Sequence, residues 1–260
     1  MAWIYGGIGF FLSRHLHEKG WRVALLGRRA DVGTQKAALL DPSGKTAVFE
    51  QCDVSSYASQ AAAFRSCTDA HLKGVMYGTR LATHFMRHNR PAPGGKIVAT
   101  SSVLSAHPCP AFPEYGAAQA GVIQWVRGSA PLLKLKENIT INAVMMGPVI
   151  TPIMPGLAKA FLPEQLVLPK TVLEAYDLFI DDAENLRTGE TVETAHDRLF
   201  WYEMPERKAG ELDVRAMAVY EPWFVAMHGE KSGLETALQG PPEGNAEDAG
   251  RVDELAVGFI

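Results

Sequence analysis

Cysteine is scarce in this chain of 260 residues: Cys52, Cys67 and Cys109 are odd in number, and none stands in a CxxC spacing. That excludes a disulfide framework, offers no zinc set, and suits a reducing compartment. No block of lysine and arginine occurs. With a formal net charge of -4 and a pI near 6.1, nucleic acid and anionic membrane surfaces are poor partners. No apolar run reaches the roughly 20 residues that cross a bilayer. The opening MAWIYGGIGFFL imitates the core of a signal peptide, yet it has no basic residue before it and no small-residue cleavage site after it, so a cytoplasmic location is expected. What the chain does have is 47% apolar content, enough for a sizeable core and a small-molecule ligand. There is no internal repeat.

Taken in order, the first glycines, Gly6, Gly7 and Gly9, precede a helical stretch over 10–19, a stop at Gly20 and an apolar run over 21–26. This is half of a strand, glycine turn, helix, strand unit, in which amides at a helix N-terminus cradle a pyrophosphate. A tight turn before a packed helix is the alternative. Gly27-Arg28-Arg29 follows the second strand, where dinucleotide folds select their cofactor. An acid there accepts from a ribose 2'-hydroxyl, whereas arginine pairs with a 2'-phosphate. The two arginines therefore favour NADP over NAD, against a plain solvated pair. Residues 48–54, VFEQCDV, precede a helix predicted over 55–65, and taken alone Asp53 stands in its N-cap region.

The next helix is predicted from 71, with Leu72, Val75, Met76, Thr79, Ala82 and Met86 on one face. His84 and His88 stand four apart on it, a spacing that can share a metal. No third ligand accompanies them, so a solvated helix end is expected and no metal.

Residues 96–121, KIVATSSVLSAHPCPAFPEYGAAQAG, hold the densest signal. Ile97-Val98-Ala99 reads as a buried strand, with Ser101 and Ser102 at its end. Tyr115 then opens a helix, with Gln119 one turn further on the same face. Residues 138–145 give another buried strand, followed by Met146-Gly147-Pro148-Val149-Ile150-Thr151. The stretch 152–169 reads as a loop over a pocket or a plain surface loop, 172–181 as an amphipathic helix, and 188–193 as a closing strand. Beyond Arg207 the composition turns to glycine, proline and glutamate, so the expected division is a domain over 1–207 and an extension over 208–260.

The serine thirteen residues before the tyrosine, together with Gly147, Val149 and Thr151, resembles the short-chain dehydrogenase/reductase family, and in the region after 151 its fungal members related to 15-hydroxyprostaglandin dehydrogenase. The resemblance implies an α/β, Rossmann-like doubly wound parallel sheet, a role in secondary metabolism and a homo-oligomer. It implies Ser102 and Tyr115 as catalytic residues, with Gln119 where the family has lysine and His71 where it has asparagine. Gly7, Gly9, Arg28, Arg29, Asp53, Gly147, Val149 and Thr151 would bind the cofactor. Trp3 falls where the family's first glycine stands, and Met146 replaces a proline. Only nineteen residues separate Asp53 from Lys73, too few for the helix, central strand and loop of the family. The expectation is therefore a sheet lacking part of its first strand and one central strand, of low stability or in need of an oligomeric partner.

Hydride transfer between a nicotinamide and a secondary alcohol or ketone needs a proton moved at the substrate oxygen, which a tyrosine can do. An ordinary phenol is only about 0.1% ionised at pH 7. Gln119 carries no charge to ionise Tyr115, so oxidation should suffer more than ketone reduction. The two readings are an NADP-dependent oxidoreductase acting on a small ketone or alcohol, and a non-redox pseudoenzyme, partner subunit or isomerase.

Overall fold

The computed structural model describes residues 2–3, 7–51, 68–151, 157–210 and 218–237. The chain divides into two compact units, residues 1–203 and 204–260.

In the first unit, the N-terminal strands β1 (Ala2–Trp3), β2 (Val23–Gly27) and β3 (Ala47–Gln51) form a parallel sheet in the order 1-2-3. Helices α1 (Gly7–Glu18) and α2 (Ala30–Leu40) make the crossovers. The run Val-Ala-Leu-Leu of β2 is apolar without alternation because helices cover it, and Val23, Leu25, Ala37 and Ala47 form its core with Phe10, Leu16, Leu40 and Phe49. Gly20 ends α1 with φ +86°, a left-handed turn that glycine adopts without strain.

A π-helical turn, Thr68–Lys73, runs directly into α3 (Gly74–Met86). Strand β4 (Gly95–Ser102) follows, then the long helix α4 (Pro113–Glu137) and β5 (Ile139–Met146). Helix α5 (Pro169–Ile180) leads to β6 (Thr191–Ala195) and β7 (Arg198–Trp201). These strands make a second sheet in the order 4-5-6-7, parallel except for the antiparallel β6–β7 hairpin.

Every residue of β5 is buried, as befits a strand with helices on both faces. Successive side chains of a strand point to opposite faces. Ile141, Ala143 and Met145 accordingly pack with Val122, Ile123 and Val126 of α4. Val144 and Met146 pack with Val172, Ala175, Tyr176 and Phe179 of α5. The architecture is α/β and Rossmann-like, with helices on both faces of parallel strands.

Among the described residues the strands fall into two sheets. Among the described residues no ladder joins β1 to β4, so the neighbours of the gap have not paired directly. Strand β4 bears the mark of an edge: residues 95–98 are half-buried and Thr100 is exposed. Helices bridge the division instead. Ile8 and Leu12 of α1 pack into the α5 cluster, His15 Nε2 lies 3.0 Å from Asp177 Oδ2, and Lys19 Nζ lies 3.2 Å from Asp177 Oδ1.

Two boundaries differ from the sequence reading. Helix α5 begins at Pro169, whose fixed φ and missing N–H suit a first helical position. The closing strand runs over 191–195 and doubles back into β7, which the sequence pattern did not show. The predicted helix over 55–65, with Cys52, Asp53 and Cys67, lies outside the described residues. In the second unit, α6 (Glu221–His228) has its buried Glu221 carboxylate accepting hydrogen bonds from the Ser232 amide, at 2.9 Å, and from the Ser232 hydroxyl.

Candidate active site

The carboxyl end of β4 carries two serines with different tasks. The Ser101 hydroxyl, buried, donates to the Gln119 carbonyl at 3.1 Å and so ties the strand to the second turn of α4. Ser102 is extended, caps the 3-10 turn Val103–Ser105, and its Oγ accepts from the Leu104 amide at 3.2 Å. Its hydroxyl proton remains free to be donated. Strand register places Ser102 beside Met146, and Met146 beside Thr194.

Helix α4 starts at Pro113, so Tyr115 stands in its first turn, half-buried, and Gln119 stands one turn on. Gln119 is 4% exposed, and its Oε1 is buried with no hydrogen-bond partner. Such an orphaned acceptor costs on the order of 1 to 3 kcal/mol unless a ligand or water satisfies it. His71, on the π-helical turn, meets Tyr115 edge to face, with ring centroids 4.9 Å apart and planes at 88°. Burial pushes the His71 imidazole below its ordinary 6.5, which favours the uncharged ring.

Gly147 follows β5. A Cβ there would stand 2.6 Å from the Thr194 carbonyl oxygen and 2.8 Å from Val167 Cγ2. Close approach of β6 and the loop before α5 therefore accounts for this glycine. Val149 packs on the α5 cluster and Thr151 is half-buried; residues 152–156 lie outside the description.

At the other sheet, Arg28 and Arg29 are exposed immediately beyond β2, and Gln51 Nε2 donates to the Arg28 carbonyl at 2.9 Å. Arg29 is the N-cap residue of α2 and makes no side-chain cap. Gly7 and Gly9 lie in the first turn of α1, where the Gly9 carbonyl accepts from Ser13 Oγ at 2.8 Å. The turn residues 4–6 are not described. Asp53 likewise lies outside the described residues. The arrangement groups Ser102, Tyr115, Gln119 and His71 around β4 and α4. No described contact joins that group to the arginines.

His84 and His88 come within 5.8 Å, ring to ring, and no set of three metal-ligating side chains occurs among the described residues. A further polar chain escaped the sequence reading. His107, five residues past Ser102, hydrogen-bonds the Tyr202 hydroxyl at 2.9 Å. A hydrogen bond to Glu193 holds that phenol above its usual range, with burial adding to the effect. No spacing rule could have joined residues 95 positions apart. Among the described residues, no helix is long and apolar enough to cross a membrane.

Comparison with known proteins places the family and the fold. The model of the family described as short chain dehydrogenase matches residues 59–160. Short-chain dehydrogenase/reductase prx6 of Penicillium rubens is 38% identical over an alignment of 279 positions, covering 90% of this chain and 92% of that protein. The alignment is longer than the chain itself, so the relative carries residues that this chain lacks. The cis-4-hydroxycyclohexanecarboxylate dehydrogenase of Sinomonas cyclohexanicum is 28% identical, over 70% of this chain and 88% of that one. Among solved structures, 3-hydroxyacyl-CoA dehydrogenase type-2 of Mycobacterium avium superposes with a TM-score of 0.63 at 21% identity, covering 77% of this chain and 94% of that chain. An actinorhodin polyketide ketoreductase with NADPH gives a TM-score of 0.61 at 18% identity, over 72% and 91%. With a relative 38% identical along nine-tenths of its length, the chain belongs to the short-chain dehydrogenase/reductase family of oxidoreductases.

Proposed function

We propose that the protein is an NADP-dependent oxidoreductase that interconverts a secondary alcohol and a ketone on a small organic molecule and is biased toward reduction. The observation that carries this reading is the junction of β4 with α4. There a serine with a free hydroxyl proton and a tyrosine in a helical first turn are held on elements fastened by the Ser101–Gln119 bond. Ser102 would donate to the substrate oxygen, and Tyr115 would give that oxygen its proton in ketone reduction. The bound nicotinamide would supply the hydride. The bias follows from Gln119: a neutral phenol already carries the proton that reduction needs, whereas oxidation must first remove it.

The residues fit a dinucleotide in two places. Gln119 presents a buried acceptor without a partner, which a ribose hydroxyl would satisfy. Arg28 and Arg29 stand exposed beyond β2, suited to a 2'-phosphate. Similarity to a dehydrogenase of a cyclic hydroxy acid, and in fold to a ketoreductase with NADPH, supports an alcohol or ketone substrate. So does the resemblance to fungal relatives of 15-hydroxyprostaglandin dehydrogenase. Tyr77, Leu81 and Phe85 recur every four residues on α3 and are exposed, which supports a homo-oligomer. Cysteine usage suits the cytoplasm.

The test is purified protein with NADPH and a panel of ketones, followed at the cofactor's absorbance, beside Tyr115→Phe. Turnover that falls by about a hundredfold or more in the variant is expected, the usual scale for a proton-transfer group. A folded sample that binds no dinucleotide and turns over no ketone would favour the non-redox scaffold.

A further inference from the structure

We propose that His71 is a positioning residue acting through Tyr115, taking the phenol proton in alcohol oxidation and returning it in ketone reduction. This deepens the oxidoreductase reading and rests on it.

The placement of His71 is built into the fold. A π-helical turn is wider than an α-helical one, and such turns recur at functional sites. Here the turn Thr68–Lys73 lies against α4, where Gly121 makes room for Leu72. A Cβ at 121 would stand 3.0 Å from Leu72 Cδ2. The residue before Leu72 is thereby held beside the first turns of α4, and its ring meets Tyr115 with centroids 4.9 Å apart and planes perpendicular. Imidazole carries its nitrogens on the ring edge, one a donor and one an acceptor while the ring is neutral. Burial favours that neutral ring near pH 7.

Competing proton acceptors are few. On the same turn, Asp69 and Lys73 are joined to each other at 2.7 Å. On α3, Tyr77 and Arg80 are exposed. On α4, Glu114 precedes Tyr115, and the amide of Gln119 cannot take a proton at all. Among the described residues, His71 is thus the neutral base in ring contact with the phenol.

The step balances. In oxidation the substrate hydroxyl proton passes to the Tyr115 oxygen as that oxygen's own proton passes to a His71 ring nitrogen, directly or through one water. The electron pair of the substrate C–H bond leaves as hydride to the oxidised dinucleotide. The imidazolium then sheds its proton to solvent, and reduction runs the same path backwards.

The experiment compares the parent with His71→Gln, which is polar but does not titrate, and with His71→Asn, which also serves if the first variant does not fold. Alcohol oxidation by the parent should be level with pH from neutrality upward. Both variants should lose about tenfold or more in kcat with little change in KM, and their rates should climb with hydroxide concentration through the same range. Free imidazole should restore part of the rate. Independently of turnover, nitrogen NMR of the cofactor-free protein should show one fixed His71 tautomer that is lost in Tyr115→Phe. An active parent whose rate and pH profile are matched by His71→Gln overturns the relay alone. So does a loss of rate with an unchanged profile and no imidazole rescue. A parent inactive on every alcohol and ketone overturns both the relay and the oxidoreductase reading.

Discussion

Lys19 Nζ, just past α1, lies 2.7 Å from Asp181 Oδ2, just past α5, so an ion pair spans the two sheets where, among the described residues, no strand ladder does. The pair is partly exposed, at 30% and 55% of the side chains, and such contacts contribute about 0.2 to 1 kcal/mol. Lys19→Ala is expected to lower the melting temperature measurably, more at low salt than at high. The hydrogen bond to Asp181, ahead of the contribution of Asp177, raises the Lys19 pKa above 10.5. A raised folded-state pKa means that the stabilisation is whole below 10.5 and fades as pH rises through the folded value. Melting curves of parent and variant should therefore converge in alkali. Identical melts at every pH would remove Lys19 from the account of how the halves are joined.

Gly147→Ala should destabilise the protein by about 1 to 3 kcal/mol with no cofactor present, because the added methyl meets the Thr194 carbonyl and Val167. Thermal or urea unfolding of the cofactor-free variant reads this directly. An unchanged midpoint combined with weakened dinucleotide binding would mean that the glycine instead serves the approach of a ligand.

Gln119→Lys places a charge one turn from Tyr115 and removes a buried acceptor that has no partner. A cation within about 4 to 6 Å favours an ionised phenol by roughly one to three pKa units. Alcohol oxidation at neutral pH should therefore rise about tenfold or more, with its optimum moved downward. Tyr115→Phe in the same background should cancel the gain. A folded Gln119→Lys protein that binds NADP and oxidises no faster would show that the phenol is not the limiting group.

Arg28 and Arg29 should make NADPH the tighter ligand. Fluorescence titration of both reduced cofactors should show the preference collapse in the double variant Arg28→Ala, Arg29→Ala, and weaken in the parent as salt rises. Equal affinities in the parent would assign the pair to solvent.

The legible parts of the chain were those with a strong local pattern. The sequence pattern puts strand β5 over 138–145 and the structure has it over 139–146, because Ile139, Thr140, Ile141 and Val144 are β-branched and favour a buried strand. Tyr115 reads as a helix start because the pattern turns helical from it onward, and in the structure Pro113 opens that helix. The hairpin into β7 was not legible. Its two-residue turn is His196-Asp197, with His196 at φ +46° and its Nδ1 2.9 Å from the Leu166 carbonyl oxygen. A tertiary bond thus accompanies the turn where sequence rules look for glycine. The contact between His71 and Tyr115 was equally out of reach, since it depends on a widened helical turn seated on Gly121.

The divided sheet bears on how the protein opens. The first ladder closes within residues 2–51, whereas the second draws its strands from 95 to 201. Amides of β2 and of β5 are therefore protected by separate ladders, and separate ladders can exchange as separate cooperative units. Native-state hydrogen exchange should resolve two opening free energies, the lower one belonging to the N-terminal half. A dinucleotide held by Arg28 or Arg29 at one sheet and by Gln119 at the other would tie those units together. Saturating NADP should then slow exchange in β2, and the ligand would supply a cooperativity that no described ladder supplies.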